Sequence, residues 1–257
     1  MKKVVVITGA SSGIGLAAAK TFLKGGWTVY GVALNDFTEG GFKCYQADVS
    51  DHVKMQEIFS EIKEKEGRVD VLVNNAGFGI SGEVVDHKPE NIKALFSTNL
   101  TASAVNLSIV GRMMKEQGGG KIINTCSLSA LFPLPYQACY SAAKAGIDVL
   151  TRTVRTELKK YKVYVSDVLP GDVNTGFTDA RVKSESADAK VNKSVARMEG
   201  YERKGMSPQK VANKIYKLAC KKKPRARTSV GALKLLIFLQ KLLPTRLLDW
   251  LIAKLYC

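Results

Sequence analysis

Short apolar runs alternate with longer amphipathic stretches along most of the chain, and this alternation limits the fold more than any other feature of the sequence. Residues 4–7, 27–33, 42–47, 69–73, 121–126 and 163–169 read as strands, with a further short one near 228–230. Helical periodicity covers residues 14–24, 52–66, two stretches within 88–117, and 140–160 and 207–220. The last of these opens Ser207-Pro208, an N-cap followed by proline at the first helical position. Strands that are apolar without alternation need burial on both faces. Such strands separated by helices predict an α/β fold, a doubly wound parallel sheet with helices on both faces. Ligands of these sheets sit at the carboxyl ends of the strands, so the turns that follow strands are where function is expected.

The chain has 257 residues, 46% of them hydrophobic, enough for one large core. The five cysteines form no C-x-x-C pair, which suits a reducing compartment and speaks against a disulfide framework or zinc. Two histidines, His52 and His87, are too few for a His-rich metal site, and no metal is expected. The apolar run at 4–7 is too short for a signal-peptide core, and no run approaches the length of a spanning helix, so a cytoplasmic location is expected. Charge is unevenly spread: residues 1–180 carry 20 basic and 18 acidic side chains, residues 181–257 carry 19 and 5. The two parts therefore have different jobs or different neighbours.

After the first strand comes Thr8-Gly9-Ala10-Ser11-Ser12-Gly13-Ile14-Gly15. Glycines allow a tight turn and let backbone N–H groups approach a pyrophosphate, and the helix that follows points its positive end at the same anion. No Gly-Lys-Ser/Thr follows, so this is not a P-loop. Gly9, Ser11 and Gly13 also spell G-x-S-x-G, the elbow of a serine hydrolase. That reading needs a histidine late in the chain, and both histidines fall early.

Further motifs follow in order: Asp48-Val49 after the third strand, NNAG at 74–77, Asn99, Ser127, Tyr140-x3-Lys144 and PGDVNT at 170–175. Together with TGASSGIG at 8–15, this series resembles the short-chain dehydrogenase/reductase family over residues 4–180, and more loosely to the end. Part of the chemistry follows from the residues themselves. Tyr140 and Lys144 lie four apart on a helix and share a face. A phenol with a pKa near 10 is a poor base at neutral pH, and an ammonium beside it lowers that pKa. Tyr140 could then exchange a proton with a substrate oxygen as general acid/base.

The rest is what the resemblance implies: a single Rossmann-type domain over 1–230 that moves a hydride between a nicotinamide coenzyme and an alcohol/ketone pair. Ser127 would hold the substrate oxygen beside Tyr140. Asn99 would support a water linking Lys144 to solvent, and Lys144 would also hold the nicotinamide ribose. Gly9, Ser11, Ser12, Gly13, Ile14 and Gly15 would form the pyrophosphate turn. Asp48 would meet the adenine amino group with Val49 near the ring, and Asn75, Ala76 and Gly77 would line the adenosine side. Pro170, Gly171, Val173 and Thr175 would border the nicotinamide. Family members are usually homodimers or homotetramers through helices near 98–117 and 140–160. The rival functions are a catalytically silent dinucleotide sensor on the same fold and, more remotely, the serine hydrolase.

An acidic residue at the end of the second strand selects NAD, and a basic one welcomes the 2′-phosphate of NADP. Ala33 and Leu34 stand there instead. Lack of a carboxylate favours NADP(H) over NAD(H), with Asn35 and Ser12 as hydrogen-bonding groups and Asp36 as the residue that could reverse the preference. FGISG at 78–82, LFPLPY at 131–136 and an insertion at 176–206 should surround the substrate, and the first two are apolar enough to suggest a small hydrophobic alcohol or ketone. The insertion reads equally as a mobile lid or a surface loop. Residues 231–257 form a basic and apolar extension of two helices broken at Pro244, with five apolar residues in a row at 235–239. The extension is similar to that of the hydroxysteroid and retinol dehydrogenase branch. It reads as the roof of a lipophilic pocket or a subunit contact, or else as a peripheral membrane contact through its lysines and arginines. Nucleic acid is not an expected partner, because no aromatic interleaving or recognition motif accompanies the charge.

Overall fold

The computed structural model describes residues 2–38, 40–184, 188–231 and 243–256. Seven strands form one parallel sheet: β1 (Val4–Thr8), β2 (Thr28–Ala33), β3 (Lys43–Gln46), β4 (Val71–Asn74), β6 (Gly120–Thr125), β7 (Val163–Pro170) and β9 (Arg227–Val230), in the order β3-β2-β1-β4-β6-β7-β9. β5 (Ile80–Ser81) and β8 (Val182–Lys183) make a separate two-stranded pair. The order reverses between β1 and β4, which opens a crevice at their carboxyl ends.

Burial follows the strand period of two. Val4 and Val6 face one core with Phe59 and Ile62 of α2 (His52–Glu66) and Val110 and Met114 of α4 (Ala102–Glu116). Val5 and Ile7 face the other with Phe22 of α1 (Gly13–Lys24) and Val211 and Ile215 of α7 (Pro208–Cys220). The unbroken apolar runs of the sequence are thus strands with a core on each side. α3 (Pro89–Phe96) runs through one π-type turn, Ser97–Thr101, into α4, and α5 (Ala138–Leu158) packs beside β7.

The insertion at 176–206 is not the ordinary surface loop of one reading: residues Ala189–Arg203 form a fifteen-residue helix, α6. Asp188 caps it by accepting from the Lys190 N–H, and Val191, Val195 and Met198, at helical spacing, bury one face near Tyr136. At the chain's end, α8 (Thr245–Tyr256) starts directly after Pro244, and its Leu248 and Ile252 pack on Phe132. The apolar run at 235–239 lies outside the described residues.

Candidate active site

A cavity of about 1100 Å³ opens along the carboxyl ends of β1, β4, β6 and β7. At one end lies the glycine turn. Gly9 and Gly13 take φ +66° and +53°, conformations that cost little only without a Cβ. A Cβ on Gly9 would come within 2.9 Å of the Ala76 backbone, and one on Gly13 within 3.3 Å of the Thr175 side chain. Ser12 is the N-cap of α1 but makes no side-chain cap bond, so the first turn offers its N–H groups toward the cavity that Ser11, Ser12, Gly13 and Ile14 line. These observations fit an anionic ligand such as a dinucleotide pyrophosphate.

Asp48, Val49, Asn75, Ala76 and Gly77 line the same end, and Pro170, Gly171, Val173 and Thr175 line the middle. Asn75 is held in place: its Nδ2 donates to the Thr8 carbonyl at 3.1 Å, and Thr125 Oγ1 donates to its Oδ1 at 3.2 Å. Two expected residues stand behind the wall. Gly15 is buried where a Cβ would fall 2.0 Å from the Gly9 carbonyl oxygen, so it permits the turn rather than lining the cavity. Asn99 sits in the π-type turn, fully buried. It accepts from the Phe78 N–H at 3.0 Å and donates to the Phe78 carbonyl at 2.8 Å, which pins the loop after β4.

Ser127, Tyr140 and Lys144 all line the cavity. Lys144 is buried, its Nζ donating to the Thr125 carbonyl at 2.8 Å and standing 5.6 Å from the Tyr140 ring centroid. Burial lowers its pKa, partly offset by the Cys126 and Asp167 groups. The Tyr140 phenol differs from expectation. Burial raises its pKa and outweighs the hydrogen bond with Ser127, which lowers it. The surroundings of this phenol in the fold therefore favour its neutral form.

Beneath this floor a buried polar chain crosses the sheet. Asn106 donates to Asn74, Asn74 to Asn124, Asn124 to Thr151, and Thr151 to Asp167 at 2.5 Å. Burial, first of all, pushes the Asp167 carboxyl up from 3.8 to about 7, with the nearby Asp148 adding to the rise and Arg227, which bonds Asp148, opposing it. Folded Asp167 thus holds a proton that the unfolded chain gives up. Its contribution to stability is complete below the unfolded value and is lost as pH rises through about 7. Asp167→Asn keeps an acceptor for Thr151 and removes that loss. Its Tm should exceed the parent's at about pH 8, and the gap should close near pH 4. A gap that widens toward acid would contradict this assignment.

Neither His52 nor His87 lines the cavity that holds Ser11, so the hydrolase arrangement has no base. No cluster of potential metal ligands occurs among the described residues. The family model described as short chain dehydrogenase matches residues 3–186.

The chain belongs to the short-chain dehydrogenase family.

It is 32% identical to a 3-ketodihydrosphingosine reductase of Bacteroides thetaiotaomicron over 243 residues, 92% of this chain and 90% of the relative. A short-chain dehydrogenase from Streptomyces avermitilis superposes with a TM-score of 0.83 at 27% identity, covering 99% of this chain and 95% of that one. ElxO with NADP bound superposes with a TM-score of 0.77 at 27% identity, covering 91% and 99%. This short-chain dehydrogenase is accordingly an NAD(P)-dependent oxidoreductase.

The far end of the cavity in this short-chain dehydrogenase is where motif reading reached least. Phe177 packs at a tilt against Tyr140, with ring centroids 5.7 Å apart and planes at 60°. Met198, Tyr201 and Glu202 of α6 line the wall, and Leu243, Leu248, Leu251 and Ile252 roof it. The helical spacing of Leu248, Leu251 and Ile252 could have marked one face of α8, but nothing local tells which surface that face would meet. For α6 the only signal is the spacing of Val191, Val195 and Met198.

Proposed function

We propose that this protein interconverts a hydrophobic alcohol and its ketone or aldehyde, using NADP(H) in preference to NAD(H), with Tyr140 as general acid/base. One observation carries the reading: a single cavity joins the glycine turn, the Ser127–Tyr140–Lys144 group and an apolar end roofed by α8. Bound there, the nicotinamide coenzyme supplies or takes up the hydride. Ser127 and Tyr140 hold the substrate oxygen, and Tyr140 Oη gives or receives its proton. Lys144, fixed on the Thr125 carbonyl, brings positive charge to the phenol and binds the ribose hydroxyls. Asn99 keeps the loop at 75–79 in position and supports the proton path from Lys144. Asp48 and Val49 would hold the adenine, and Asn75, Ala76, Gly77, Pro170, Gly171, Val173 and Thr175 the rest of the coenzyme.

The phosphate preference rests on Ala33, Leu34 and Asn35, which line the cavity with no carboxylate among them, while Asp36 is not part of the wall. A hydrophobic substrate is supported by Phe132, Leu248, Leu251 and Ile252. The relative named for 3-ketodihydrosphingosine reduction makes lipid-like ketones the first class to try, with steroid and retinoid carbonyls beside them. We place the protein in the cytoplasm as a homodimer or homotetramer through α4 and α5, where Val149 is 55% exposed. The outer face of α8, with Trp250 at 56% exposure and Lys254 over its ring, is the candidate peripheral membrane contact.

The test is titration with each reduced coenzyme, followed by a panel of lipophilic ketones monitored through reduced-nicotinamide absorbance. NADPH should bind at least about tenfold tighter than NADH, and at least one ketone should consume it. Tight coenzyme binding with no hydride transfer to any carbonyl would favour the silent sensor instead.

A further inference from the structure

Arg181 stands where a guanidinium is expensive to keep. Its side chain is 1% exposed, and its Nε and Nη1 find no hydrogen-bond partner among the described residues. Taking such a group out of water with donors unpaired lowers stability, so a buried pair of this kind is weak evidence of a stabilising role. The fold nevertheless makes room for it. The Val182 N–H donates to the Gly79 carbonyl at 3.0 Å, and β8 pairs with β5, which sets Arg181 beside Gly79. A Cβ on Gly79 would fall 3.0 Å from Arg181 Nε and 3.1 Å from the Phe177 ring, so the glycine leaves the space that these two side chains share.

The guanidinium meets two partners. Its Nη2 donates to Glu202 Oε1 at 2.6 Å, and Thr178 Oγ1 donates to the other carboxylate oxygen at 2.7 Å. Its Cζ lies 5.6 Å from the centroid of the Phe177 ring, within cation–π range. Phe177 also meets Tyr140, so one aromatic ring separates a fixed cation from the phenol. Phe177, Tyr140 and Glu202 line the cavity, while Arg181 stands behind its wall. Burial is the largest influence on the Tyr140 phenol and raises its pKa. The Ser127 hydrogen bond lowers it, Cys126 raises it, and Arg181 lowers it by more than Glu202 raises it. Lys144 Nζ stands 5.6 Å from the same ring, and Asp172 shares the cavity.

We propose that Arg181, anchored by Glu202, is a positioning residue for proton transfer: it holds Phe177 against the Tyr140 ring and brings a fixed positive charge to that side of the phenol. This rests on the acid/base reading of Tyr140 and adds a residue that touches neither substrate nor coenzyme. Lys144 supplies charge from the phenol's own helix, and Arg181 supplies it from across Phe177. Glu202 plays the opposite part, holding the guanidinium in place while weakening its field. The pair also links α6 to Tyr140, because Glu202 can hold Arg181 only while α6 lies against the segment at 178–183.

Two readouts test it. The first needs no substrate. Tyrosinate ultraviolet absorbance is followed against pH with NADP+ bound, each protein minus its own Tyr140→Phe counterpart, so that this one phenol is read. Arg181→Met removes the cation and should move the rise to higher pH; Glu202→Gln removes the anion and should move it to lower pH. Arg181→Lys should stay closer to the parent than Arg181→Met does. Loosened packing alone would not move the two rises in opposite directions. Lys183–Glu199 at 2.8 Å and Arg203–Asp179 at 2.7 Å still tie α6 down in every variant. The second readout is kinetic, with NADPH and the ketone panel. Arg181→Met and Phe177→Leu should each lower kcat by about tenfold or more, with the Kd for NADPH within about threefold. Combined, they should lose little beyond the larger single effect, since one acts through the other. Rises that shift the same way or stay put, or kcat losses that multiply in full, would overturn the proposal. Tyr140→Phe separates it from the reading beneath it. Turnover retained in that variant removes both, whereas an inactive Tyr140→Phe with unmoved rises removes the positioning role alone.

Discussion

Tyr140→Phe is expected to lower kcat by about 10²- to 10⁴-fold while the Kd for coenzyme stays within about threefold. The substitution deletes one hydroxyl and keeps the ring, so the contact with Phe177 and the packing around Ala143 and Leu95 survive. What is lost is a proton donor that both meets Ser127 and lies beside Lys144. The protein's own environment raises this phenol's pKa, and the charges of Lys144 and of an oxidised nicotinamide would oppose that rise. Oxidation of the alcohol should therefore depend more steeply on pH than reduction of the ketone. Stopped-flow absorbance separates the hydride step from binding. Turnover within tenfold of the parent would remove Tyr140 from the role given to it.

Gly15→Ala should cost more coenzyme affinity than its single methyl suggests. The new Cβ would fall 2.0 Å from the Gly9 carbonyl oxygen, which is backbone, and 2.7 Å from Asn75 Nδ2, which is tied to the Thr8 and Gly9 carbonyls. Either the turn opens or α1 moves off β1, and both displace the N–H groups that face the pyrophosphate. Affinity should fall by at least about a hundredfold, with about 1–3 kcal/mol of stability lost to overpacking. Gly26→Ala is the control. Its φ is +79° with nothing within 4 Å of a Cβ, so only backbone strain of about 1 kcal/mol is expected, with coenzyme binding intact. Calorimetry and thermal melting on both variants decide the matter, and parental affinity in Gly15→Ala would show that the turn has slack.

Much of the fold was legible because the signals were local. A strand buried on both faces has no polar positions to spare, so residues 4–7 and 69–73 declared themselves. The turn that follows the first strand needs glycine for steric reasons that hold in any context. Tyr140 and Lys144 share a helix face by geometry alone, and the structure places both on the cavity with Ser127. The sign of the Tyr140 shift was not legible, because burial depends on segments distant in sequence. Glu202 was missed for the same reason: it is an ordinary charged residue on a charged helix until Arg181 and Thr178 hold it against the cavity. Asn99 was found by its motif, yet its hydrogen bonds to Phe78 could not be read without the loop between them.

The pairing of the first helix with α7 sets the order in which the molecule can be completed. Thr21 meets Gln209 across 188 residues, and Phe22 shares its core with Val211 and Ile215. At ribosomal speeds of about 5–20 residues per second, α1 waits roughly 10–40 s for its cover. During that interval an emerging chain presents an oily flank beside a half-built sheet edge. Chaperone capacity, more than final thermodynamic stability, should therefore govern how much of this protein a cell accumulates.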